Sequence, residues 1–125
     1  MKAKWSVYLD ILTVSENNSR EHWRVKYSRT SKQKIHIRAA LNKHGPDRFF
    51  PCHIHLSRLS PGTMDDDNLP GSMKYIRDAI ADYLIPGQLP GRADGDPRLT
   101  WSYSQQKTPN KGVCITFYEP LQKIC

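Results

Sequence analysis

The sequence predicts an α+β fold: a single compact domain in which a small mixed sheet, in the order β-α-β-α-β-β, carries helices packed on it. Three observations predict it. A chain of 125 residues has room for one domain and one core. Apolar residues alternate with polar ones in four short segments, the period-two signature of strands. Two other segments carry apolar residues at helical spacing, and each is closed by a glycine-proline or proline-glycine pair.

Taken in order, residues 5–13 read as the first strand, with Trp5, Val7, Leu9 and Leu12 among polar neighbours. Residues 14–30 are polar and basic, with Asn17, Asn18, Trp23 and Tyr27, and at 17 residues they read as a basic mobile loop of functional length. Ser31 caps a first helix that runs to about residue 44, where Gly45 and Pro46 stop it. Its stripe is Ile35, Ile37, Ala39, Ala40 and Leu41. Residues 52–59 form the second strand, with Cys52, Ile54 and Leu56 on one face and His53, His55 and Ser57 on the other. A second helix covers residues 72–84, where Met73, Ile76, Ile80, Tyr83 and Leu84 recur at three- and four-residue spacing. Residues 99–105 and 112–118 complete the strands, and Pro109-Asn110-Lys111-Gly112 reads as a hairpin loop between them.

Composition narrows the classes. Hydrophobic residues make up 38% and charged residues 25%, the balance of a folded chain rather than a disordered one. No apolar run approaches the roughly 20 residues of a bilayer-spanning helix, so no membrane partner is expected. Asp10 interrupts the apolar N-terminal run and no small-residue cleavage site follows, which argues against a secretion signal. Three cysteines, Cys52, Cys114 and Cys125, form an odd set without close pairs, as expected of thiols in a reducing cytoplasm.

The net charge of +7 is unevenly spread. Between Arg20 and Arg48 nine basic residues face only Glu21 and Asp47, so this limb carries the whole excess. From Asp65 to Asp96 seven aspartates outnumber Lys74, Arg77 and Arg92. A basic limb beside an acidic centre suggests a polyanion held next to a cation site; an unevenly charged solvated surface is the plainer reading. Within the limb, Arg20, Arg24, Lys26, Arg29, Lys32 and Lys34 interleave with Asn17, Asn18, Trp23 and Tyr27. That pattern neutralises phosphates and stacks on bases, and it lacks the apolar face of a membrane-surface helix.

Met64-Asp65-Asp66-Asp67-Asn68-Leu69 joins the second strand to the second helix. In an extended segment Asp65 and Asp67 point one way and Asp66 the other, so two carboxylates can share a hard divalent cation. Asp94 and Asp96 lie before the third strand and would join them if the two middle strands are neighbours. A calcium loop is excluded, because Pro70 stands where glycine is required and Ile76 where the bidentate glutamate belongs. Helix capping by one aspartate competes with metal binding, although three in succession repel one another unless a cation compensates. Lys74, near the helix start, fits beside carboxylates and a phosphate, where it would offset transition-state charge; the competing reading is a solvent-facing lysine. His53 and His55 share a strand face and could pair on zinc, but no third ligand is suggested by spacing, and a half-exposed sheet face accounts for them.

Three stretches resemble the RusA-type Holliday-junction resolvases, small endodeoxyribonucleases of phages and bacteria. Ser15-Glu16-Asn17-Asn18 with His22-Trp23 is similar to the family's Pro-Ser-x-Asn opening. Asp65-Asp66-Asp67-Asn68-Leu69 with Lys74 and Asp78-Ala79-Ile80 is similar to its Asp-x-Asp-Asn-Leu-x-Lys core, with Pro70-Gly71-Ser72 as an insertion. Asp94-Gly95-Asp96-Pro97 resembles its downstream aspartate pair. The resemblance implies a RusA-like fold and a homodimer that makes paired symmetric nicks in four-way DNA during recombination and repair. It implies Asp65 and Asp67 as ligands of Mg²⁺, or of Mn²⁺ in its place, with Asp94 or Asp96 completing the set and Lys74 as the essential lysine. A different class of function stays open: a non-catalytic DNA-binding or recombination-accessory protein that retains the fold.

Overall fold

Strand alternation divides the sheet into two unlike faces. The computed structural model of the protein describes residues 2–14, 22–45, 47–89 and 92–120. Strands β1 (Lys2–Leu9), β2 (Cys52–Ser60), β3 (Leu99–Lys107) and β4 (Gly112–Glu119) form one sheet in the order β1-β4-β2-β3. β2 and β3 are parallel, with Cys52 opposite Leu99 and Ser60 opposite Lys107. β4 is antiparallel to both β2 and β1. The helices are α1 (Trp23–His44), α2 (Leu69–Ser72) and α3 (Lys74–Leu84), and Ala93–Gly95 forms a 3-10 turn. The result is a mixed-sheet α+β domain in the expected β-α-β-α-β-β order, with α2 and α3 together in the place of the second helix.

The core lies between the helices and one sheet face. Ile54 and Leu56 of β2 and Val113, Ile115 and Phe117 of β4 are fully buried, together with Ile37 of α1 and Ile76 and Ile80 of α3. Each such side chain contributes about 1.5–3 kcal/mol on burial. An exposed ion pair such as Lys4–Glu119, at 3.1 Å, is worth at most ~1 kcal/mol. Packing therefore holds the fold, and surface charge is left for other uses. The opposite face, with His53, His55, Ser57, Ser102, Ser104, Cys114, Thr116 and Tyr118, is half-buried and polar.

Four expectations are corrected. The first strand ends at Leu9 rather than at residue 13. Beyond it, Ile11 and Thr13 are buried, and Thr13 Oγ1 accepts a hydrogen bond from Arg58 Nε at 3.0 Å. The first helix begins at Trp23, not Ser31, so residues 23–30 of the expected 14–30 loop are helical. His22 caps it, its Nδ1 accepting from the Arg24 N–H at 3.2 Å. The second helix is broken at Met73, where the backbone leaves helical geometry at φ −102° and ψ 1°. Finally, β3 and β4 do not form a hairpin, because β2 lies between them. The β2–α3–β3 crossover sets β3 on one side of β2 and leaves the other side to β4. The Thr108 N–H donates to the Ser60 carbonyl at 2.9 Å, so the 108–111 connection passes over the end of β2.

Candidate nucleic-acid interface and acidic turn

α1 carries seven lysines and arginines over 22 residues and no carboxylate. Its inner stripe is Thr30, Gln33, Ile37 and Leu41, all buried, which leaves most of the circumference to solvent. Of the expected DNA-binding residues, Arg24, Lys32 and Lys34 are exposed, and Lys26 and Arg29 are half-buried. Trp23 is 66% and Tyr27 70% exposed, and the Arg24 guanidinium lies 5.3 Å from the Trp23 ring centre. Exposed rings between cations suit a surface that meets both phosphates and bases. Asn17, Asn18 and Arg20 lie outside the described residues.

The acidic segment is a turn, not an extended strand end. The Asn68 N–H donates to the Asp65 carbonyl at 2.9 Å, and the Leu69 N–H to the Asp66 carbonyl at 3.3 Å. Strand alternation therefore does not set where Asp65 and Asp67 point. Both are exposed, as is Asp66. A residue that the sequence reading missed, Gln105 of β3, fastens this turn. Its Oε1 accepts from the Met64 N–H at 3.1 Å, and its Nε2 donates to the Met64 carbonyl at 2.7 Å and to Asp66 Oδ1 at 3.4 Å.

Asp94 and Asp96 do not join Asp65 and Asp67. The middle strands are neighbours, the condition set for convergence, but being parallel they carry the two acidic groups at opposite ends: 65–67 follows β2, and 94–96 precedes β3. The chain folds back only partly. Trp101 Nε1 donates to the Asp94 carbonyl at 3.0 Å, four residues of β3 before Gln105, about 13 Å along a strand. Asp94 Oδ2 sits 3.1 Å from Arg77 Nε as an ion pair in which the N–H is not aimed at the oxygen. Arg77 also stacks 4.8 Å from Trp101 and donates to the Tyr103 hydroxyl at 2.7 Å. Asp96 takes both Nε and Nη2 of Arg98, each at 3.1 Å, and the Arg98 bonds hold its carboxyl below the usual range. Among the described residues, no group of three or more Asp, Glu, His or Cys side chains is placed to hold a metal ion.

The basic limb and Lys74 do meet. Lys34 Nζ lies 5.4 Å and Lys74 Nζ 5.7 Å from the ring centre of Tyr75, so α1 and the start of α3 present two cations on one ring. Asp78, one turn further, feels both lysines, but burial and the neighbouring Asp94 raise its pKa. No spacing rule marks Tyr75, Arg77 or Gln105, because each acts across elements distant in sequence.

On the polar face of the sheet, His53 and His55 are engaged by hydroxyls. His53 meets Thr100 at 2.7 Å and Ser102 at 2.8 Å; His55 meets Ser102 at 2.6 Å and Ser104 at 2.8 Å. Burial lowers both pKa values, and for His53 the nearby His55 adds to the effect. With all four ring nitrogens occupied by hydroxyls, this pair reads as sheet structure.

Comparison of the chain with protein-family models, with curated proteins and with solved structures finds no match. No helix among the described residues is long and apolar enough to cross a membrane.

Proposed function

We propose that the protein is a Mg²⁺-dependent endodeoxyribonuclease that nicks branched DNA, holding the strands on α1 and cutting beside the 65–67 turn. The observation that carries this reading is the approach of the basic helix to the start of α3 at Tyr75. There the phosphate-binding helix, through Lys34, adjoins Lys74 of the helix that follows the acidic turn. The donor set suits the ion: Asp65 and Asp67 offer hard oxygen, and magnesium is usually held by one or two carboxylates plus substrate phosphate. The arginine-held Asp94 and Asp96 are then not needed as ligands. Bound Mg²⁺ would supply Lewis-acid polarisation of the phosphate and an acidified water. Lys74 offsets negative charge gathering on the phosphate, Gln105 keeps the turn in place, and Arg24 and Lys32 hold the flanking backbone. Paired nicks need two such sites, which an isologous homodimer provides. Free thiols at Cys52 and Cys114 agree with a reducing, cytoplasmic setting.

The test is cleavage of a synthetic four-way junction with Mg²⁺, with Mn²⁺ and with EDTA. Asp67→Asn should slow nicking by about 100-fold or more while junction binding persists. Unchanged nicking in that variant would remove Asp67 from the chemistry. A second reading, a DNA-binding protein of the same fold without turnover, is favoured by the pairing of Asp94 with Arg77 and Asp96 with Arg98. Tight junction binding with no metal-dependent nicking of junction, flap or duplex would establish it.

A further inference from the structure

Among the described residues, a cleft of about 690 Å³ lies between α1 and residues 10–14, the chain that leaves β1. Ile11, Leu12, Val14 and Val25 make its lining apolar, and Arg24 and Lys32 make it cationic. Gln33 belongs to the same lining and is only 3% exposed. Its Nε2 donates to the Leu12 carbonyl, which orients the amide and leaves Oε1 as an acceptor. That oxygen is closed to water and has no hydrogen-bond partner among the described residues. A buried acceptor without a donor is costly, and folded chains keep few of them.

We infer that the cleft takes one nucleotide of an unpaired DNA strand, its base among the apolar side chains and, after a small shift that opens Gln33 Oε1 to the cleft, donating an N–H to it, its phosphates on Arg24 and Lys32. Each part of the cleft selects one part of that ligand. Every base has an apolar face and an N–H on its pairing edge, and that N–H is free only where the base is unpaired. The two cations are the complement of the strand's phosphates, and they continue the charged surface of α1. Asp10, also in the lining, repels phosphate from its own side and can accept from a base amino group or a sugar hydroxyl. An acyl chain has no N–H to give Gln33, and a basic peptide would be repelled by Arg24 and Lys32. The volume is within the range of small-ligand pockets. The inference rests on the reading of α1 as a DNA-binding surface and adds what that surface selects.

The experiment compares binding of the full chain to two labelled duplexes, one fully paired and one with a single bulged thymine. The wild-type protein should bind the bulged duplex about 5- to 150-fold more tightly, the range that stacking of one base supplies. Ser28 is exposed and lines the cleft, so Ser28→Trp blocks it without entering the core. That variant should bring the ratio toward unity. Gln33→Met, which keeps side-chain length and removes the acceptor, should do the same; if it fails to fold, Ser28→Trp decides. Equal binding of both duplexes by the wild type, or an undiminished ratio in Ser28→Trp, overturns the inference. So does saturable binding of thymidine monophosphate with no preference for the bulge, which would assign the cleft to a free nucleotide. Neutralising Arg24, Lys32 and Lys34 separates the two levels. If that triple variant binds both duplexes as well as wild type, the DNA-binding reading fails. If it binds both more weakly while Ser28→Trp keeps its preference, only the cleft assignment fails.

Discussion

Replacing Arg24, Lys32 and Lys34 together by glutamine tests whether α1 is the phosphate-binding surface. All three side chains are exposed on a helix that contains no carboxylate, and glutamine preserves helix propensity. Each phosphate contact contributes about 0.9 to the slope of log affinity against log salt, so three lost contacts should flatten it by about 2.7. Between about 50 and 200 mM salt, the wild-type protein should then lose about 40-fold more affinity than the variant. That corresponds to about 2.2 kcal/mol. The assay is a fluorescence-anisotropy titration of a labelled four-way junction at four salt concentrations, with circular dichroism to verify helix content. Coincident slopes with intact helix content would show that the phosphates lie elsewhere, and the proposed function would lose its binding surface.

Three further outcomes are expected. Arg77→Met removes the Asp94 ion pair, the Tyr103 hydrogen bond and the stacking on Trp101, and should lower stability by about 1–3 kcal/mol in urea unfolding; a smaller loss would mean that the network is slack. His53 and His55 have pKa values lowered in the folded state, so the unfolded chain binds more protons below about pH 6.5. Stability should therefore be full above that pH and fall on acidification through the folded values, with the slope reduced in a His53→Gln, His55→Gln double variant; identical slopes would assign the acid sensitivity to other groups. Burial pushes the Cys52 thiol up to about 12, so it should resist a thiol reagent at pH 8 until the chain is unfolded; rapid labelling of the native protein at Cys52 would contradict its burial.

Periodicity made much of the fold legible. The alternation of Cys52, Ile54 and Leu56 marked β2 and its buried face, and the spacing of Ile76, Ile80 and Leu84 marked the buried stripe of α3. Both signals are local, because a residue's place in the repeat decides whether it meets the core or water. The basic limb was legible as charge but not as helix. Residues 23–30 bury only Thr30, so they carry no apolar repeat, and Ser31 resembled a cap although it lies inside the helix.

By itself, then, the sequence determined the buried faces of β2 and α3, where cationic and acidic stretches fall, and that one mixed α+β domain would form, whereas Leu12 and Ile35, which it placed on apolar stripes, are exposed. Only the tertiary structure decided which strands are neighbours and in what direction they run. Periodicity names a buried face but not the strand beside it, so Pro109-Asn110-Lys111-Gly112 had the look of a hairpin while β2 in fact separates β3 from β4. The same parallel pairing sends residues 65–67 and 94–96 to opposite ends of neighbouring strands, where Asp94 meets Arg77 of α3 and Asp96 holds its near neighbour Arg98. Contacts such as Gln105 on Met64 or Gln33 on Leu12 join segments 41 and 21 residues apart, and such distances are closed by packing rather than by local spacing.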